Sequence, residues 1–432
     1  MDQSSITARQ NISGIILTAL LVLTGCSGGG GGSDPAPASS QAVAAPDPDI
    51  LTATPQGLLR GKASGQGQQL VFSRPNLHQQ AFSGDIFLAN GLVYYPREAP
   101  PILFDYPNQD IWSVRTDGTQ DHAVLNTTAD EFVKEAQGAL AIYEQGHYSL
   151  TQGLRTEFGS LANGAPLTTL LITEPFTQYR FLFGARAFFN NQQQIFSVNA
   201  NGSSLSTHAT ASASTGLAAS DVFGNTLIYR ESSFETGTAT LKSVPISGGG
   251  ASSLDDGLSY VSYAGHVGSR VVSHRCTIDS SDLPPRAGPC DVVSVDANGS
   301  GPAVLASHAA NEAVQGIIGN QVIIRRNLSG NDQLVAVPVA GGPERLIMTM
   351  TDSEFVQLVI GDRLLVRRPS GSWMLDLNGT LTQFGNIAGD SGFIAVGNAV
   401  CLNKGAAAWC MPLDGQGPAV KIADTGKVIG AL

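Results

Sequence analysis

Residues 319–326 read GNQVIIRR and residues 361–368 read GDRLLVRR. Each is a glycine, a polar residue, one further residue, then three apolar residues and two arginines. The same phrase, with other residues after the apolar run, recurs at Gly138 (GALAIYEQ), Gly184 (GARAFFNN), Gly224 (GNTLIYRE), Gly268 (GSRVVSHR) and Gly397 (GNAVCLNK). An eighth copy, ANGLVYYP, puts Ala89 in the glycine place. A repeat of this size is one supersecondary unit that cannot bury its own faces, so stacking of the copies dictates the fold.

A second phrase follows each copy after a variable gap. It is an apolar strand ending in a glycine turn: IWSVRTDG at Gly118, IFSVNANG at Gly202, LKSVPISG at Gly248, VVSVDANG at Gly299, LVAVPVAG at Gly341, SWMLDLNG at Gly379 and AWCMPLDG at Gly415. All three tryptophans, Trp112, Trp373 and Trp409, stand six residues before the turn glycine. Between Gly118 and Gly202 lie two repeats of about 42 residues, so a degenerate copy belongs there, with Asn163-Gly164 as its turn.

Gly-Asn and Asp-Gly pairs supply the positive φ of tight hairpins. The runs between them are rich in Val, Ile, Leu, Tyr and Phe, which favours strands. Apolar residues in succession, rather than alternation, suit strands covered on both faces. Units of about 42 residues with several strands each are propeller blades. The expectation is an all-β, eight-bladed β-propeller over residues 56–432, with seven blades as the alternative count if the Gly138 copy is no blade. A hairpin-like segment, Leu58 to Arg74, precedes the first copy, and a lone apolar strand, Val428 to Leu432, ends the chain. Either can complete a blade begun at the other terminus and so lock the ring.

Residues 1–25 read as an export signal. Ile15 to Leu23 is almost wholly apolar but too short to span a bilayer. It runs into Leu23-Thr24-Gly25-Cys26, which resembles the lipobox of bacterial lipoproteins, and that resemblance implies a lipidated Cys26. The plain alternative is an ordinary cleaved signal with an incidental cysteine. Residues 26–55 form a Gly-, Pro-, Ala- and Ser-rich tether with too little apolar surface to fold. Its reach is roughly 25–30 Å. The same resemblance, with Ser27 rather than Asp after the cysteine, implies the outer membrane in a Gram-negative cell, so the chain is expected in the bacterial envelope, held by its lipid alone.

Four cysteines remain, an even number suited to an oxidising compartment. If Gly405-Ala406 form a type II′ turn, Cys401 lies opposite Cys410 at a distance a disulfide can bridge. Cys276 and Cys290 would close a Pro-rich excursion in the fifth copy, worth about 3 kcal/mol in the entropic picture. The net charge of −11 and pI near 5 argue against nucleic acid and against general adhesion to anionic lipid.

The phrases IWSVRTDGTQDHAVL and LVAVPVAGGPERLI resemble the repeats of TolB-type propellers and related bacterial lipoprotein propellers. The resemblance implies a periplasmic binding or scaffolding role. The plan of eight blades on a lipid tether is also similar to BamB, in architecture only.

Seven histidines stand in no metal-ligand spacing, and there is no GxSxG, Walker-type loop or full calcium loop. Asp296-Ala-Asn298-Gly-Ser300 is a strand turn like its counterparts. No catalytic residue, metal or cofactor is therefore expected, and the leading reading is a non-enzymatic, monomeric module binding an envelope protein or anionic envelope ligand. The alternative is a propeller hydrolase or lyase working in the central channel. One pattern bears on binding. Six and seven residues after the repeat glycine stand Arg230, His274 and Arg275, Arg325 and Arg326, Arg367 and Arg368, and Lys404. The same repeat position recurs around a ring, so these residues would form a basic arc on one face. Arginine forks suit carboxylate or phosphate; the plain alternative is local ion pairing.

Overall fold

The computed structural model describes residues 47–99, 108–149, 153–162, 167–173, 177–255, 260–279, 286–307, 312–328, 331–351, 353–383, 391–413 and 417–432. They form nine four-stranded antiparallel sheets. Numbered from the N-terminus, blades 2 to 9 are built from consecutive strands over residues 87–125, 130–173, 178–210, 215–253, 260–306, 312–350, 355–383 and 391–423. Blade 1 is composite. Its strands Asp49–Thr54, Gly57–Lys62 and Gln69–Ser73 are joined by the C-terminal strand Lys427–Ala431, which pairs with Asp49–Thr54.

Eight copies predict eight blades; the protein has nine. The reason is physical. The first phrase marks the hairpin between a blade's innermost and second strands. In blade 1 those two strands come from opposite ends of the chain, so no hairpin joins them and no phrase is written. The innermost strands of blades 9 and 2 pack beside Lys427–Ala431, which confirms its place at the centre. Nine apolar clusters each bridge two neighbouring blades, the last joining blade 9 to blade 1 through Ile50, Val396, Cys401 and Val428. The ring is closed. It begins at Asp49, ahead of residue 56, and Asp47 is already tied down through its carbonyl to the Lys62 ammonium at 3.2 Å. The signal segment, Cys26 and the first part of the tether lie outside the described residues, as does the Asn163-Gly164 turn between the last two strands of blade 3.

The repeat glycine is the first central residue of a two-residue turn. At Gly319 φ is +58°, and its counterparts fall between +55° and +60°. A following residue with negative φ makes these type II′ turns, whose twist matches that of the strands. The first copy differs. Ala89 pairs with Leu92, so Asn90 (φ +48°) and Gly91 (φ +71°) form the turn, and Asn90 rather than Ala89 holds the glycine place.

The second-phrase glycine does a different job. A Cβ on Gly118 would stand 1.6 Å from the carbonyl oxygen of Val71 in the outer strand of blade 1. Gly299 and Gly379 approach Ser253 and Ile347 of the preceding blades in the same way. These glycines let one blade's turn lie against its neighbour's backbone. The innermost strands of blades 3 to 9 each carry a β-bulge, which bends the strand and re-aims its side chains. Carboxylates beside two of these bulges reach the next blade: Tyr179 donates to Glu135, and Tyr263 donates to Asp221.

Candidate functional site at the loop face

The basic arc is built as local pairs. Arg326 is 3% exposed and lies directly across the hairpin from Glu312, bonding it at 2.9 Å. Its other edge forms a fork to Glu344, at 3.0 and 2.7 Å. Arg368 bonds Glu354 and lies over the Trp373 ring. Arg325 bonds the buried Asp332, and Arg275 faces Asp291 at 3.5 Å. Arg367 covers the Phe355 ring, 5.4 Å from its centroid. Arg230 holds the same position in blade 5, half-buried opposite Leu241. Lys404 is exposed beside the turn after the Cys401 strand. His274 is half-buried, and its Nε2 accepts the Val314 backbone N–H of the next blade at 2.9 Å. The two disulfides form where the strand register puts them, Cys276 opposite Cys290 and Cys401 opposite Cys410.

These pairs show a rule that the arginine phrase alone does not. Glu131, Glu312 and Glu354 each stand seven residues before a repeat glycine, the first two on an innermost strand and Glu354 one residue ahead of one. Seven residues after the same glycines stand Gln145, Arg326 and Arg368. Glu131 and Gln145 are cross-strand partners, as Glu312 and Arg326 are. In blade 3, therefore, the glutamate keeps its place but its arginine has become an amide. Gln145 donates to Glu131 at 3.1 Å, and the Thr127 hydroxyl donates to the same oxygen. The other carboxyl oxygen, Oε2, has no partner. Burial, with the charge of Asp110 adding to it, pushes the Glu131 carboxyl up to about 7.

Asp110 comes from the third strand of blade 2, Asn108–Arg115, which packs against the innermost strand of blade 3. Burial raises its carboxyl too, while the nearby Trp112 indole N–H and the Arg97 guanidinium oppose the rise. Both carboxyls are covered, Asp110 only shallowly. Asn108, two residues earlier and on the same face of the strand, is also buried, and its amide N–H reaches the Thr127 carbonyl at 3.4 Å. Three acceptor oxygens here, Asn108 Oδ1, Asp110 Oδ1 and Glu131 Oε2, are buried with no hydrogen bond of good geometry, although the Trp112 indole N–H lies close enough to Asp110 to act on its carboxyl. Arg97 is exposed, crosses from Asp110 and stacks over Trp112 at 4.1 Å. Once Asn90 takes the glycine place, Arg97 falls on the same repeat position as Arg326 and Arg368. With Ala89 in the glycine place, Pro96 stands at that position instead.

No known protein family and no curated protein matches the chain in sequence. Solved structures with similar folds include oligopeptidase B from Leishmania major (TM-score 0.41, 12% identity, 76% of this chain and 52% of that one). An oligogalacturonate lyase in complex with manganese matches with TM-score 0.39 and 11% identity over 66% of this chain and 85% of that one. A putative TolB from Agrobacterium tumefaciens matches with TM-score 0.27 and 12% identity over 54% and 85%. The chain spans about half the length of the oligopeptidase it resembles. The β-propeller class rests on the nine sheets themselves, and at these identities and scores the likeness assigns no role. One expectation is corrected. The missing catalytic motif suggested that the chain is not an enzyme, yet chains sharing this fold include an oligopeptidase and a lyase. In a propeller, the lack of a linear motif excludes no chemistry.

Proposed function

We propose that this protein is a cell-envelope hydrolase or lyase acting on an anionic polymer, with its reactive corner at Asn108, Asp110 and Glu131. The observation that supports it is the convergence of two raised, partly unpartnered carboxyls beside an exposed arginine stacked on tryptophan, where blade 2 meets blade 3. Arg97 offers a fork for a carboxylate or phosphate of the substrate. The carboxyl corner has spare acceptor capacity, which serves hydrolysis or elimination either as a proton carrier or as the holder of a cation that polarises the substrate. Both carboxyls are covered, so reaction there requires this corner to open as substrate binds.

The purified protein should cleave at least one member of a panel of acidic polysaccharides and acidic peptides. Asp110→Asn and Glu131→Gln should each lower turnover by about 100-fold or more, with unchanged circular dichroism. Arg97→Ala should chiefly raise KM for anionic substrates. Absence of turnover across the panel with and without added divalent cations, or full turnover in both carboxyl variants, would falsify the reading. Export and anchoring at Cys26 belong to the same proposal: Cys26→Ser should move the protein from the membrane fraction to the soluble envelope fraction. A scaffolding role is the second reading, favoured by Phe132, Phe183 and Phe355, exposed aromatics on the innermost strands of blades 3, 4 and 8.

A further inference from the structure

We propose that Asn108, Asp110 and Glu131 bind a hard divalent cation of the calcium type. The proposal shares its corner with the catalytic reading but does not need turnover to be true. Its starting point is the three buried acceptor oxygens with no hydrogen bond of good geometry. All three side chains are more than nine-tenths buried: Asn108 is 7% exposed, Asp110 3% and Glu131 0%. Leaving one such group unsatisfied costs about 1–3 kcal/mol, and more when it is charged. The three lie around Thr127, with only the Trp112 indole N–H and the Arg97 guanidinium acting on Asp110, and so leave room for a further positive partner.

The geometry around them is that of ligands held from behind. Asn108 and Asp110 project from one face of one strand. The Asn108 amide nitrogen is engaged by the Thr127 carbonyl, so its oxygen is the free end. Thr127 and Gln145 both donate to Glu131 Oε1, so Oε2 is the free end there. Such outer partners orient metal-binding side chains. Electrostatics agrees. Blades 7 and 8 give the equivalent glutamate an arginine, whereas blade 3 gives it a neutral amide. A bound cation would restore the charge that the repeat elsewhere supplies covalently.

The donor set is one amide and two carboxylate oxygens, with no sulfur or imidazole. That chemistry selects calcium, magnesium or manganese over zinc or copper. Calcium fits best because it accepts irregular oxygen sets and completes its shell with water. Among the described residues no three His, Cys, Asp or Glu side chains converge as a metal cluster; here the third ligand is an asparagine. Arg97 lies near enough to Asp110 to weaken the affinity. The expected range is therefore that of extracellular calcium modules, a Kd of about 10⁻⁴–10⁻³ M.

The test uses the purified protein, stripped with chelator and titrated separately with calcium, magnesium and manganese. Calorimetry should show one saturable site, and the melting midpoint should rise with cation concentration as binding to the folded state alone requires. Asp110→Asn and Glu131→Gln should each weaken binding at least tenfold. Asn108→Ala should do so less strongly, and Asp117→Asn, in an exposed turn, should change nothing. The near-isosteric Glu131→Gln guards against loss of folding in the other variants. No saturable binding up to about 10 mM in folded protein, or equal binding in both carboxyl variants, overturns the proposal. So does a Glu131→Gln protein that is stabilised without binding any cation, since a proton shared by the two carboxyls would then satisfy the oxygens. Binding without turnover would leave the cation site standing and remove the enzymatic reading; turnover indifferent to chelator would do the reverse.

Discussion

Arg326 and His274 illustrate how side chains that look like a binding arc in the sequence are consumed by the fold. Arg326 is buried between Glu312 and Glu344. Removing one partner of a buried pair leaves the other charge uncompensated, so Arg326→Met should destabilise the protein by about 3–5 kcal/mol. Adding Glu312→Gln should recover part of that loss; denaturant midpoints of the two variants check it, and equal losses would refute the pairing. His274 gives the pH prediction. Burial lowers its imidazole below the usual 6.5, and its Nε2 must stay unprotonated to accept the Val314 N–H. The unfolded chain takes up this proton first. The stabilisation is therefore complete above about pH 6.5 and falls away as pH drops toward the lower folded value. Replacing His274 with Gln should narrow the difference in melting midpoint between pH 8 and pH 5. The basic row was legible in the sequence because it keeps step with the turn glycine. Its carboxylate partners are marked by no phrase of the repeat, and Glu131 stands out only against the arginine that blades 7 and 8 place opposite the equivalent glutamate.

At the scale of the element, the two glycine phrases have different physical reasons, and substitution separates them. Gly319 needs only its positive φ, because a Cβ there would meet nothing within 4 Å. Gly319→Ala should therefore cost about 1 kcal/mol. Gly118→Ala should cost several times more, because its Cβ would collide with the Val71 carbonyl of the neighbouring blade. Paired thermal melts decide this, and equal losses would mean that both are mere turns. The Cys401–Cys410 bridge shows how far local geometry reaches: Gly405 at φ +57° sets a two-residue turn, Lys404 pairs with Ala407, and the cysteines are brought opposite. A turn of known type determines register over several residues. At Asn90-Gly91 the turn sits one residue later than Ala89 in the glycine place implies, so the strand positions that follow shift by one and Arg97 joins the row.

For the whole molecule the decisive element is Lys427–Ala431, whose Val428 is buried against blades 1 and 9. Deleting residues 427–432 should open the ring, removing strand pairing and buried apolar surface worth on the order of 5 kcal/mol. Calorimetry should then show an added low-temperature transition from blades 1 and 9, and a peptide of the deleted sequence should suppress it. A truncated chain melting like the full one would mean that closure does not depend on this strand. The repeat, the all-β class and both disulfides were written in the sequence, because turn chemistry and strand patterning act over a few residues and are repeated copy by copy. The ninth blade was not, because its innermost and second strands are joined by no turn. Nor was the meeting of Asn108 and Asp110 with Glu131. Those side chains belong to different blades, and only the packing of one sheet against the next decides which buried side chains become neighbours.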